Sequence, residues 1–155
     1  MVTMEEIREL FFDAMEKGYA NPKAQKKTIA ALPRSKMTLH QKDDLMLIDI
    51  WFTTNWSNKS FGSTIIFYKK NPVWFMCYAG EYKPEAIPFL KQVLHHSYSR
   101  KKWHGGRGVP SYHDANLHYA NNQNRSGFED FNGKESIYKM QESLGWHRYW
   151  GMSLL

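Results

Sequence analysis

The sequence predicts one α+β domain, spanning residues 1–155, in which a largely antiparallel six-stranded sheet carries two helices on one face. Two segments have apolar residues at helical spacing, and six shorter segments are rich in β-branched and aromatic residues. One helix followed by three strands occurs twice, which suggests an αβββ tandem repeat. With 42% hydrophobic residues in 155, the chain has enough apolar material for one core without disulfides.

The first helix is predicted over residues 4–17. Its apolar residues repeat at helical spacing, at Ile7, Leu10, Phe11, Ala14 and Met15. Thr3 and Glu6 have the spacing of a capping box at the start of this helix, and Gly18 follows its end, where left-handed backbone is common. These signals together define an amphipathic helix that buries one face.

The next segment, Tyr19–Asp43, contains two prolines and has no sustained apolar period, so we predict a long surface loop there. Three strands follow in sequences rich in β-branched and aromatic residues, at Leu45–Phe52, Ser63–Lys69 and Val73–Ala79. The run Lys70–Pro72 has the composition of a tight turn. We therefore expect these three strands to form an antiparallel meander.

The second helix is predicted over residues 84–99, where Pro84 stands at a first-turn position that tolerates proline. A basic, glycine-rich segment, Arg100–Pro110, follows it. Glycines at this density do not suit a regular element, and the segment lacks the strand and helix context of a phosphate-binding loop. We therefore predict a flexible connection.

Three further strands are predicted near Tyr112–Ala120, Phe131–Met140 and Gly145–Met152. The runs Asn121–Gly127 and Gln141–Leu144 have turn-like compositions and are predicted to separate them. The two halves of the chain also share a faint pattern. Phe61–Tyr68 matches Phe131–Tyr138 in spacing, and Tyr78–Gly80 is similar to Tyr149–Gly151.

The composition limits the classes of partner and compartment. The net charge of +6 favours contact with anions, but the positive residues are divided between two loops, so nucleic-acid binding is expected to be weak and non-specific at most. The single cysteine, Cys77, cannot form an internal disulfide, which is typical of a cytoplasmic protein. Neither a signal peptide nor a membrane span is predicted.

The sequence resembles a bacterial family, the domain of unknown function numbered fifty-six eighty. The resemblance covers nearly the whole chain and rests on four segments, Phe61–Gly62, Pro72–Gly80, Arg107–Gly108 and Phe131–Tyr138. Members of that family sometimes follow a helix-turn-helix domain of the Xre repressor type, which implies a sensing or regulatory role by association. Because the family has no known activity, the resemblance transfers no catalytic residue.

The strand Val73–Ala79 is apolar on both faces, so we expect something to cover the face that bears Trp74, Met76 and Tyr78. Two helices cover only one side of a sheet. The cover is therefore the Tyr19–Asp43 loop or ordinary core, a second copy of the chain, or a bound small molecule. Trp74 and Tyr78 are in any case expected to be removed from water.

Glu135 is predicted to point inward, because it shares strand parity with Phe131 and Ile137 and is matched by the apolar Ile65 in the faint repeat. A buried carboxylate needs a partner or a raised pKa. The family resemblance implies that Arg107 is that partner. The pair is interpreted as a structural ion pair or as a carboxylate that binds a ligand or acts as an acid or base.

The histidines do not form a predicted metal site, because His95 and His96 are adjacent on a helix and His113 and His118 would face opposite sides of one strand. No cofactor is predicted. The predicted function is a small-ligand-sensing or interaction module, with Trp74, Tyr78, Arg107 and Glu135 as candidate ligand-binding residues. The alternatives are an enzyme that uses the buried carboxylate and a weak, non-specific nucleic-acid binder. Possible partners are a small molecule and a second copy of the chain.

Overall fold

The computed structural model describes residues 1–155 and contains two α-helices and eight β-strands. The elements in chain order are α1 (Met4–Lys17), β1 (Ser35–Lys42), β2 (Leu45–Thr53), β3 (Lys59–Tyr68), β4 (Asn71–Tyr82), α2 (Ile87–Ser99), β5 (Ser111–Asp114), β6 (Leu117–Gly127), β7 (Asp130–Lys139) and β8 (Glu142–Ser153). A short 3-10 turn, Pro84–Ala86, precedes α2. The fold class is α+β, and the capping box predicted at Thr3 and Glu6 is present.

All eight strands form one antiparallel sheet with the order β1-β2-β3-β4-β8-β7-β6-β5. Each half of the chain is therefore one helix followed by a four-stranded meander, and the halves meet where β4 pairs with β8. Tyr78 lies directly opposite Tyr149 at this junction. Gly62 pairs with Tyr78 in the first half as Gly133 pairs with Tyr149 in the second. The repeat is thus αββββ, and its pseudo-two-fold axis passes between these two tyrosines.

The predicted number of strands, six, is wrong. Residues 35–42, predicted as part of a surface loop, form the edge strand β1, which pairs with β2. The outer edge of β1 is bridged only between Met37 and Lys27, and an edge strand needs little apolar sequence, so its composition resembles that of a loop. The predicted strand Tyr112–Ala120 is a hairpin, β5 and β6, and the predicted turn Asn121–Gly127 is part of β6. Ala115 occupies the first position of the hairpin turn with a φ of 51°, where glycine or asparagine is usual, and Asn116 stands only at the second position, so the turn signal is weak.

The two faces of the sheet differ in their cover. Trp74, Met76 and Tyr78 point to the face that the helices cover, and their exposed fractions are 0%, 0% and 8%. The prediction that Trp74 and Tyr78 are removed from water is confirmed, and the cover includes Phe11 of α1, whose ring lies 5.2 Å from that of Trp74. On the opposite face Cys77 is exposed. The expectation that the helices leave the Trp74 face to another cover is wrong, because α1 and α2 pack on that face and make it ordinary core. A second copy of the chain as a partner stays a prediction.

The opposite face, called here the open face, carries a row of aromatic side chains. Phe52 stacks on Phe61 with ring centroids 4.8 Å apart, and Phe75 meets Trp150 edge to face. Phe61 and Trp150 are 56% and 47% exposed. A trough of about 580 Å³ lies over Ala79, between the Phe52–Phe61 pair and Trp146. No helix in the structure is long and apolar enough to cross a membrane.

The glycine-rich segment is not a flexible connection. Residues 105–108 are all buried against the helix-covered face, and Gly106 would place a Cβ only 2.5 Å from the Tyr149 ring. The side-chain amide of Asn121 donates to the carbonyl oxygens of Gly106 and Gly108 at 2.9 and 2.8 Å. Gly105, Gly106 and Arg107 have φ values of 91°, 104° and 57°. The glycines therefore permit a tight, left-handed insertion into the core.

Candidate functional site

Glu135 and Arg107 form a buried ion pair on the helix-covered face. The side chains of Arg107 and Glu135 are 4% and 0% exposed. Arg107 Nη2 and Nε both donate to Glu135 Oε1, at 2.8 and 3.0 Å, and the Tyr119 hydroxyl donates to Oε2 at 2.6 Å. The predictions that Glu135 is buried and that Arg107 is its partner are both confirmed. The carboxylate is thus held by three charge-assisted hydrogen bonds.

Of the two features that predict the burial of Glu135, strand parity is confirmed and the match to Ile65 is wrong. Strand parity places it inward with Phe131 and Ile137, as predicted. The residue at the matching position of the first half is Thr64, however, because Gly62 and Gly133 set the register of the repeat. Ile65 belongs to the open face, where alternate residues of β3 are half-buried. The repeat therefore matches Glu135 to a buried polar residue.

A second buried carboxylate, Asp49, lies on β2 on the same face. The hydroxyl groups of Thr64 and Tyr78 both donate to its Oδ1, at 3.0 and 2.9 Å. The guanidinium carbon of Arg107 lies over the Tyr78 ring, 4.7 Å from its centroid. Arg107 thus forms an ion pair with Glu135 and also lies over Tyr78. Tyr78 in turn donates a hydrogen bond to Asp49, so Arg107 is close to both carboxylates.

His147 joins the same cluster from β8. Its Nδ1 lies 3.8 Å from Glu135 Oε1 and has no hydrogen-bond partner, although the atom is buried. Its Nε2 lies 3.1 Å from the hydroxyl oxygen of Ser60. Burial, reinforced by the charge of Arg107, lowers the pKa of His147 to about 4, even though Glu135 opposes this shift. The imidazole is therefore neutral at physiological pH.

The two carboxylates have opposite pKa shifts. Burial raises the pKa of Asp49, and the bonds from Tyr78 and Thr64 offset this effect only in part. Burial would also raise the pKa of Glu135, but the charge and hydrogen bonds of Arg107 lower it below its usual value. Burial, followed by the Asp49 charge, raises the pKa of Tyr78 well above its usual value. The difference between the carboxylates follows from the position of one guanidinium.

This cluster borders a small void of about 40 Å³ beneath the helices. The void is lined by Met15, Tyr19, Asp49, Trp51, Ser60, Tyr78, Leu94, Tyr98, Arg107 and His147. An outer cleft of about 350 Å³ shares Tyr19, Trp51, Ser60 and His147 with it. The void and the cleft are therefore adjacent, with Ser60 and His147 of the polar cluster lining both, and the outer cleft opens to the surface.

The mouth of the outer cleft is basic. Four lysines line it, namely Lys26, Lys36, Lys59 and Lys91, and no carboxylate lines it. Lys26 and Lys91 are half-buried, whereas Lys36 and Lys59 are exposed. The depression thus has a rim of lysines above a floor that contains the Arg107–Glu135 ion pair.

The structure brings together three of the four predicted ligand-binding residues. Tyr78 and Arg107 line the void, and Glu135 lies directly behind Arg107. Trp74 lies elsewhere, in an aromatic core where it stacks on Phe128 and Phe131 with ring centroids 5.0 and 5.5 Å away. Its indole N–H donates to the carbonyl oxygen of Phe128 at 2.8 Å. We therefore remove Trp74 from the candidate site and treat it as core.

Sequence reasoning missed several residues of the site. Asp49 had a usable signal, because an acid inside the apolar strand Leu45–Phe52 resembles the pattern that identified Glu135. His147 shares strand parity with Tyr149, but no metal-ligand spacing marks it in the sequence. Tyr19 and Lys26 lie in the predicted loop, where no local pattern marks them.

The prediction that His113 and His118 face opposite sides of one strand is also wrong. They lie on neighbouring strands, β5 and β6, as a directly opposed pair, and their rings stack with centroids 4.1 Å apart. The structure holds no group of three or more His, Cys, Asp or Glu residues arranged to hold a metal ion.

The fold and the site define an α+β domain with an internal αββββ repeat and a buried arginine–glutamate pair beneath a basic cleft. The chain belongs to the family described as Domain of unknown function (DUF5680), whose model matches residues 49–153. The match begins at Asp49 and contains Tyr78, Arg107, Glu135 and His147. Comparisons with curated proteins and with solved structures gave no match.

Proposed function

We propose that this chain is a small-molecule-binding module, with a sensing or regulatory role, and that its ligand binds in the cleft above the Arg107–Glu135 pair. One observation carries the proposal. The chain has three buried side-chain polar atoms without a hydrogen-bond partner, the hydroxyls of Tyr82 and Tyr98 and Nδ1 of His147. All three residues line the void or the cleft. Buried polar groups are rarely left unpaired, and a polar ligand in this depression would supply partners.

The charged floor supports binding more than chemistry. Glu135 uses both oxygens on Arg107 and Tyr119, and Arg107 is fixed over the Tyr78 ring. Groups held this firmly keep a constant shape and field, which favours selective recognition because little reorganisation is needed when a ligand binds.

The test uses variants that remove one unpartnered hydroxyl each. Tyr98→Phe and Tyr82→Phe should leave the melting temperature of the free protein unchanged within about 2 °C, because no protein hydrogen bond is lost. A compound that binds the cleft should raise the melting temperature of the wild type by mass action, and the shift should be smaller in at least one of these variants.

The matched control is Cys77→Ser on the open face, which leaves the cleft intact. A compound that stabilises the wild type should stabilise this control equally. The proposal fails if a chemically diverse library yields no stabilising compound, or if every stabilising compound acts equally on the wild type and both tyrosine variants.

An enzyme is the second candidate, and the contact between Ser60 and His147 is the observation that favours it. A hydroxyl 3.1 Å from a neutral imidazole that faces a carboxylate is the arrangement of an activated nucleophile. The low pKa of His147 makes it a weak base, and Glu135 is already bonded to Arg107. We therefore rank this candidate below binding.

Covalent labelling distinguishes the two candidates. If Ser60 is a nucleophile, its hydroxyl oxygen should attack the phosphorus of a fluorophosphonate probe, displace fluoride and pass its proton to His147 Nε2. Intact mass spectrometry should then show one phosphonyl adduct that is absent in Ser60→Ala and His147→Gln. Labelling that is absent, or equal in all three proteins, would leave binding as the function.

A further inference from the structure

We propose that the ligand of this cleft carries an anionic group, a phosphate or a carboxylate, and that Lys26 and Lys91 bind it at the cleft mouth. This inference rests on the proposed function and adds the chemical class of the ligand. It also assigns a binding role to the segment between α1 and β1, most of which the sequence leaves as an unmarked loop.

The first argument is the convergence of two ammonium groups on one aromatic ring. Lys26 lies between α1 and β1, and Lys91 lies on α2, yet their Nζ atoms are 5.5 and 4.9 Å from the centroid of the Tyr19 ring. A tyrosine ring attracts cations, but two like charges on one ring repel each other. An anion between them would turn this repulsion into attraction on both sides.

The second argument is the lack of a carboxylate partner. Three other lysines of the chain, Lys69, Lys83 and Lys101, form ion pairs with Asp or Glu. Neither Lys26 nor Lys91 forms one, although both are half-buried. Two partly desolvated, unpaired cations are unfavourable in a free protein, which is typical of sites that receive an anionic ligand.

The electrostatics agree with this geometry. Burial lowers the pKa of Lys26 to about 8, and the neighbouring Lys91 and Lys36 add to the effect. An anion bound beside Lys26 would restore the charged form, because an opposite charge within a few ångströms favours ionisation.

The wall next to the lysines indicates what the rest of the ligand resembles. Trp51, Ile87 and Leu90 line the same cleft, so an apolar or aromatic body would pack beside the anionic group. A simple aromatic anion is therefore an appropriate probe. Phenyl phosphate carries a phosphate on a phenyl ring, and benzoate carries a carboxylate on the same ring. Benzamide has the shape of benzoate without its charge.

Binding of these probes is measured by titration calorimetry and thermal shift at low and at physiological salt. We expect phenyl phosphate or benzoate to bind and benzamide to bind at least about tenfold more weakly, since hydrogen bonds to a charged group are roughly twice as strong as those between neutral groups. The stronger of the two anions identifies the group that the site prefers. Binding of the anion should weaken as salt rises.

The decisive variant is Lys26→Gln with Lys91→Gln, and the matched control is Lys23→Gln with Lys27→Gln. The control removes the same charge from exposed positions of the α1–β1 segment. We expect the first double variant to lose about tenfold or more in affinity for the anionic probe and the control to change less than about twofold. Circular dichroism verifies that both fold.

Three outcomes would overturn the inference. These are no binding of either anion, equal binding of benzoate and benzamide, and equal losses in the two double variants. Neutral compounds that bind, and whose effect is reduced by Tyr98→Phe but not by the lysine variant, would overturn the anionic class and leave the proposed function standing.

Discussion

The two halves of the chain repeat the same fold unit but place different chemistry at matching positions. The matched residues are Asp49, Thr64, Met76 and Tyr78 in the first half and Asn121, Glu135, His147 and Tyr149 in the second. In each half the tyrosine hydroxyl donates to the side chain two strands away, to Asp49 at 2.9 Å and to Asn121 at 2.5 Å. The scaffold is therefore common to both halves, and the ion pair and the histidine belong to the second.

The connections that follow the two helices explain why the halves differ. After α2, residues 105–108 enter the core and carry Arg107 to Glu135. After α1, the connection remains at the surface, where Lys26 covers the rim of the cleft. One half thus supplies the cation at the floor and the other supplies a cation at the mouth. The cleft lies between the two halves because one connection enters the core and the other stays at the surface.

The largest expected difference between the halves comes from Glu135→Ala compared with Thr64→Ala. Removal of Glu135 leaves Arg107 buried without a counter-ion and should cost about 3–5 kcal/mol of unfolding free energy. Removal of the Thr64 hydroxyl loses one hydrogen bond to Asp49 and should cost about 1 kcal/mol. Urea denaturation measures both. Equal losses would mean that the ion pair does not distinguish the halves.

The next largest loss of stability is expected for Asn121→Asp. This change places in the second half the same acid that the first half has at the matching position, Asp49. The change removes the amide that donates to Gly106 and Gly108 and puts a carboxylate beside their carbonyl oxygens. We expect a loss of about 2–4 kcal/mol at pH 7, since two buried acceptors lose their donor. The loss should shrink in acid, where the new carboxyl is protonated. A pH-independent loss would contradict this explanation.

Gly106→Ala tests whether the inserted connection depends on glycine. The φ of 104° and a Cβ position 2.5 Å from the Tyr149 ring both disfavour a side chain there. We expect a loss of about 2 kcal/mol. The control, Gly127→Ala, has no heavy atom closer than 3.5 Å and should change stability by less than about 0.5 kcal/mol. Similar losses at both glycines would argue against a rigid insertion.

The smallest effect, with the opposite sign, is expected for Asp49→Asn. Burial raises the pKa of Asp49, so the folded state binds this proton more tightly than the unfolded chain, and the contribution of Asp49 to stability falls as pH rises through its folded pKa. The amide does not titrate and still accepts at Oδ1. We therefore expect a gain of about 1 kcal/mol at pH 7 that disappears in acid.

Glu135 should respond to pH in the opposite direction, because its pKa is lowered in the folded state. Its contribution to stability is present above the pKa of an unfolded glutamate and is lost as pH falls through the folded value. The two contributions are separated by measuring the unfolding free energy of the wild type, Asp49→Asn and Glu135→Gln between pH 3 and 8. This range brackets ordinary carboxyl pKa values of about 4. Parallel pH profiles for the two variants would refute the opposite shifts.

Sequence patterns alone predict the α+β class, the helix α1 with its cap, the repeated order of helix and strands, and the burial of Glu135. These features depend on periodicity within one element, because side chains alternate along a strand and repeat every 3.6 residues along a helix. The link between Arg107 and Glu135 came from the family resemblance, since no local pattern joins two residues 28 positions apart.

Three features follow only from the folded chain. These are which connection enters the core, the place of Trp74 in the core rather than the site, and the convergence of Lys26 and Lys91 on Tyr19. Each depends on contacts between elements distant in sequence. The edge strand β1 was missed for the same reason, because its stability comes from backbone hydrogen bonds to β2 and not from its own apolar pattern. The cleft exists because two similar halves have differently placed connections, and the position of a loop depends on the surface it packs against.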